Sequence, residues 1–124
     1  MTARAVAVLV DESDERPLEL VVLALESLPR HLVVIGSVRR LGFTTDAAIA
    51  DRHAMRREAL VEHLAAMARE LSASPVSVRR RSIAVGDVHS TGTLRRARRL
   101  ARSRGADRLI RRDGDGALIG EQLR

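Results

Sequence analysis

Residues 5–10, Ala-Val-Ala-Val-Leu-Val, contain no polar position. An uninterrupted valine-rich run of that kind predicts a strand covered on both faces. The acidic stretch Asp11 to Glu15 stops it, and Pro17 stands where a first helical turn tolerates proline. Leu18, Val21, Val22, Leu25 and Leu28 then recur at helical spacing up to Pro29, which predicts a first helix. Residues 31–38 form a second buried strand. Residues 39–51 lack a sustained period and contain Gly42, Thr44, Thr45 and Asp46, so a connecting loop is expected there. A second helix follows over about 52–72, its apolar stripe made of Leu60, Leu64, Met67 and Leu71.

Val76 and Val78 open a third strand that resumes at Ile83 and Val85, with Arg79, Arg80 and Arg81 between them. Three consecutive arginines place this strand at a sheet edge, where charge also opposes edge-to-edge association. A third helix is expected over 94–104, with Thr93 as its N-cap and Leu94, Ala97, Leu100 and Ala101 on its inner side. Gly105 is its predicted left-handed stop. Residues 107–111 form a short fourth strand, 113–116 a turn, and 117–124 a brief tail. The order β-α-β-α-β-α-β implies one α/β domain over 1–124, a three-layer open and mainly parallel sheet in the order 3-2-1-4. The tail, 113–124, either ends the domain short or covers the sheet edge.

Composition narrows the chemistry. The single aromatic is Phe43 and there is no cysteine, so the core is aliphatic and disulfides and thiolate chemistry are excluded. The first apolar run is too short for a signal peptide, and no run approaches the roughly 20 residues of a membrane span; a soluble cytoplasmic protein without membrane contact is expected. The net charge of +6 is uneven: residues 1–75 hold 9 arginines against 11 acids, and residues 76–124 hold 13 against 5. Such a basic half attracts anions of every kind.

In open α/β sheets, ligands bind beyond the carboxyl ends of the strands where the order reverses. Asp11, Ser13, Ser37, Gly86 and Asp87 are expected around that point, with Asp11 either a local cap or a ligand contact. Ser90, Thr91, Gly92 and Thr93, followed by Arg95 and Arg96, combine hydroxyls, a helix start and guanidinium groups suited to phosphate; Thr93 as an ordinary N-cap explains the same letters. The four histidines are scattered, and His53 and His63 miss the spacing of a helical metal pair. Asp113 and Asp115 lack the further oxygen ligands of a calcium loop. No metal site and no catalytic set of nucleophile, base and orienting group assembles, so an enzyme is not expected.

Four features resemble the universal stress protein family. The first strand ends in Asp11 with Ser13 two residues on; the second is followed by a long connection and a long helix; the third ends in Gly86-Asp87; and Gly105-Ala106-Asp107-Arg108-Leu109-Ile110 is similar to the segment that leads that family into its fourth strand. The resemblance implies a noncatalytic regulatory domain linked to stress responses, a homodimer, and an adenine nucleotide, ATP or AMP, as the only cofactor to consider. It places such a nucleotide on Asp11, on Ser37 or Val38 at the end of the second strand, and on a glycine-rich turn at Gly114, Gly116 and Gly120; Ser13 and Gly86 are added from the expected crevice at the strand ends. That turn departs from the family's Gly-x-x-Gly signature in spacing, lacks the Ser or Thr that follows it, and carries two carboxylates that repel phosphate. The chain also ends before the family's fourth helix and fifth strand, which removes one dimer interface. The function expected is therefore regulation through protein contacts, with nucleotide held weakly or not at all. The alternative is a nucleic-acid-binding module using Arg79, Arg80, Arg81, Thr93, Arg95, Arg96 and Arg99, without aromatic stacking.

Overall fold

A computed structural model describes residues 5–73 and 75–123. Strand β1 (Ala5–Asp11) lies at the centre of the sheet, bonded in parallel to β2 (His31–Arg39) on one side and to β4 (Arg108–Arg112) on the other. The register aligns Ala7 with Val33 and with Leu109. Alternate residues of β1 therefore enter different cores, which is why the whole run is apolar. Ala5, Ala7 and Leu9 pack with Val33, Ile35 and helix α3 (Thr91–Ser103). Val6, Val8 and Val10 pack with Leu32, Val34, helix α1 (Pro17–Leu25) and helix α2 (Ala47–Leu71).

Strand β3 (Ser77–Val85) pairs only with β2 and is an edge, as its arginines require. It is continuous through Arg79–Arg81, because an edge strand lets long side chains run out to water. Its register separates those arginines: Arg79 and Arg81 align with Val33 and Ile35 on the α3 side, and Arg80 turns to the α2 side, where it pairs with Glu62.

Helix α1 stops at Leu25, short of the expected Pro29, and Leu18, Val22 and Leu28 of its expected stripe are exposed while Leu20, Val21 and Ala24 are buried. Three further features differ from the sequence expectation. Helix α2 begins at Ala47, inside the expected loop, because the Asp46 carboxylate accepts the Ala48 N–H at 2.9 Å. The first turns of α2 are exposed, so capping and alanine propensity form them, and no apolar period marks them. Helix α3 is capped by Ser90, whose hydroxyl accepts the Thr93 N–H at 3.2 Å. Thr93 is inside the helix and buried, its hydroxyl donating to the Asp87 carbonyl at 2.7 Å.

The third difference is a fifth strand. Strand β5 (Leu118–Gln122) pairs antiparallel with β4, and the sheet order is β3-β2-β1-β4-β5. The expected 3-2-1-4 order is thus extended at the β4 side. The 113–117 connection is a hairpin in which the Asp113 carboxylate accepts the N–H groups of Asp115 and Ala117, and Gly116 takes φ 84°. Glu121 fastens β5 to the rest of the fold, accepting from Arg111 at 2.7 Å and from Arg98 on α3 at 2.9 Å. Among the described residues no helix is long and apolar enough to cross a membrane.

Candidate functional site

The connections after β1 and β4 leave in different directions, and the space between them is a cavity of about 370 Å³. This is the reversal point of the sheet, with Leu9 and Asp11 entering from β1, Arg111 and Arg112 from β4, Val88 and His89 from the approach to α3, and Leu94 from its first turn. Leu9, Val88 and Leu94 make an apolar floor. The volume falls in the range of small-molecule sites.

Asp11 stands at this mouth because β1 ends there. Its Oδ1 accepts the Ser37 hydroxyl at 2.7 Å; its Oδ2 accepts the Ser13 hydroxyl at 2.5 Å and the Ser13 N–H at 3.1 Å. Burial opposes ionisation of this carboxyl, but the bonds from Ser13 and Ser37 and the charge of Arg39 outweigh it and hold the group below its ordinary value of 3.8. Glu121 is likewise held below its ordinary 4.5: burial opposes, and the bonds from Arg111 and Arg98 prevail.

The basic side of the cavity is also engaged. Arg112 donates through Nε to Asp14 at 2.7 Å and through Nη2 to Glu19 at 2.8 Å and to the Arg16 carbonyl at 3.0 Å. A further bond reaches the Gly116 carbonyl at 3.0 Å. The hydrogen bonds to Asp14 and Glu19 raise its pKa above the ordinary guanidinium value. One side chain of β4 thus ties together the β1–α1 loop, the first turn of α1 and the β4–β5 hairpin. The lining carries Asp11, Asp14, Glu15 and Glu19 against Arg16, Arg111 and Arg112, a balance that does not favour a polyphosphate.

The residues expected from the sequence divide accordingly. Asp11, Ser13 and Gly116 meet at the cavity, and His89 joins them. Ser37 is buried behind Asp11 as its hydrogen-bond donor, and Val38 is buried in β2. Gly86 follows β3, and its carbonyl accepts the Arg39 guanidinium. Gly114 lies exposed in the hairpin. Gly120 lies in β5, with open space so limited that an added Cβ would meet Arg108 Nη2 at 2.5 Å. The three glycines therefore form a hairpin and a strand, and they do not gather into one N–H cradle of the kind phosphates want. Thr93 is buried and Arg80 is paired with Glu62; Arg79, Arg95, Arg96 and Arg99 are exposed and Arg81 half-buried. Asp14, Glu19, Arg111 and Arg112 were not singled out by sequence, since their pairing spans up to 98 positions.

The depressed carboxyls have a consequence for stability. A group whose folded pKa lies below its unfolded value contributes stability above the unfolded pKa and loses it as pH falls through the folded pKa. Acidification from pH 5 downward is expected to lower the thermal midpoint as Asp11 and Glu121 take up protons, and Asp11→Asn to reduce that slope. Thermal melts between pH 2.5 and 6 check this; equal slopes in the two proteins would deny Asp11 a share.

Among the described residues no three of His, Asp and Glu gather as a metal-holding group. No protein-family model, no curated protein and no solved structure matches this chain.

Proposed function

We propose that this chain is a noncatalytic regulatory domain of universal-stress type, holding adenine nucleotide weakly or not at all and acting through contacts with other proteins. A three-layer arrangement, a homodimer and a cytoplasmic setting belong to the same proposal; the two cores on opposite faces of the sheet support the first. The observation that carries the reading is the internal pairing of the cavity. Asp11 is bound by Ser13 and Ser37, Arg112 by Asp14 and Glu19, and Arg111 by Glu121. A phosphate entering there must displace carboxylates from arginine and then face them at close range, which costs affinity.

Native mass spectrometry of the purified chain, with a denatured aliquot to identify released molecules, tests this. The expected result is a dimer mass with no stoichiometric nucleotide and no ATP turnover. A retained equivalent of ATP or AMP that Asp11→Asn releases, or turnover abolished by the same substitution, would overturn it.

One observation favours a second reading, nucleic-acid binding. Arg95, Arg99 and Arg102 follow one another along the outer side of α3, a stripe about 10 Å long; all three are exposed and make no ion pair among the described residues. No exposed large apolar residue lies on α3 or β3, which suits phosphate backbone better than an acidic hydrophobic peptide. Under this reading the binding constant for duplex DNA falls with salt on a log–log slope of about −3, and Arg95→Gln with Arg99→Gln flattens it. A salt-independent affinity would rule it out.

A further inference from the structure

A second cavity, of about 380 Å³, lies where β2 ends against the exposed first half of α2. Its lining contains Arg39 and Arg40 from the end of β2 and Arg52, His53 and Arg56 from α2, and no acidic side chain. This is the opposite of the cavity between β1 and β4, where four carboxylates face three arginines. Glu12, outside this lining, accepts Arg56 Nε at 2.9 Å and the Arg39 N–H at 2.9 Å, and it neutralises one of the four guanidinium groups.

The remaining arginines are differently placed. Arg39 reaches the Gly86 carbonyl, and the His53 ring meets the Arg39 carbonyl at 2.8 Å, holding α2 against the end of β2. Arg40 and Arg52 make no hydrogen bond or ion pair through their side chains among the described residues, and both are exposed. Two free guanidinium forks thus stand at the mouth of a concavity whose framework is fixed by other bonds. Guanidinium groups match phosphate oxygens in pairs, and a cleft lined by one sign of charge raises the local concentration of the opposite ion. Leu41 and Ile49 flank the same space and offer an apolar wall.

We infer that the cavity between the end of β2 and α2 is a binding site for a small molecule bearing more than one phosphate group, held by Arg40 and Arg52 with Arg39 and Arg56 behind them. The apolar wall receives the uncharged part of that ligand. The inference does not rest on the regulatory reading: it stands or falls on this cavity, whatever the cavity between β1 and β4 binds.

The experiment titrates sodium tripolyphosphate into the full chain by calorimetry at low ionic strength, with citrate as a carboxylate of similar charge. Arg40→Gln/Arg52→Gln is compared with Arg30→Gln/Arg69→Gln, which removes the same charge from the end of the fold where β2 begins and α2 ends. Neither pair of side chains bonds to the fold, so both variants are expected to keep the parent thermal midpoint. Saturable one-to-one binding of tripolyphosphate is expected, weakened at least about tenfold by the first variant and less than about threefold by the second. Absence of saturable binding, equal losses in the two variants, or citrate binding as tightly as tripolyphosphate would overturn the assignment.

Discussion

Arg112→Met is expected to lower the free energy of unfolding by about 3 kcal/mol, at the low end of what breaking a buried ion pair costs. The Asp14 side chain is only 8% exposed, and Arg112 itself 20%. Removing the guanidinium leaves the Asp14 carboxylate desolvated with one remaining donor, the Arg16 N–H at 2.8 Å. Glu19, at 43% exposure, returns to water at little cost. The same substitution frees the Gly116 and Arg16 carbonyls, so the β4–β5 hairpin and the β1–α1 loop lose their common tether. Urea unfolding of the parent, Arg112→Met, Asp14→Asn and the double variant separates these effects. The double variant is expected to recover part of the loss, because no carboxylate is left buried alone. A loss below about 0.5 kcal/mol in the single variant would place the pair among exposed, weak ones.

Gly36→Val is expected to destabilise by about 2 kcal/mol, although valine is the better strand former. Gly36 lies in β2 on the side covered by α2, and a Cβ there would sit 2.9 Å from Leu60 Cδ2 and 3.0 Å from Val61 Cγ1. Leu60 can swing aside. Val61 is buried and β-branched, and its one helical rotamer leaves it little freedom. Valine adds two further methyl groups into this contact, so α2 must lift from the sheet. Relief of glycine's backbone entropy returns only about 0.5–1 kcal/mol. The thermal midpoint should fall by roughly 5–10 °C. An unchanged or higher midpoint would mean that α2 yields at no cost. Because α2 also carries Arg52 and His53, the substitution is expected to disturb the arginine-lined cavity as well.

The two cavities differ in how they use charge. Between β1 and β4, arginine is spent on structure: Arg112 and Arg111 each hold a carboxylate that joins separate elements. Between β2 and α2, two arginines are left free in a space without acids.

The sequence by itself determined the buried strands, the three helices, the edge position of β3 and the left-handed glycine after α3. Each of these is a local pattern. A six-residue apolar run can only be covered on both faces, three arginines can only sit where water reaches them, and Gly105 at φ 82° takes a conformation that other residues avoid. The start of α2 was not legible, since its first turns are capped and exposed and show no period. Strand β5 was not legible either: Leu-Ile-Gly-Glu-Gln, with a glycine and two polar residues in five, does not read as a strand, and it is one because Glu121 meets Arg98 and Arg111 beside an open β4 edge. Which arginines are free was decided by the tertiary structure alone. All 22 basic side chains carry the same charge in the sequence, and only distance to a carboxylate brought near by folding separates Arg112, held by Asp14, from Arg40 and Arg52, which face solvent.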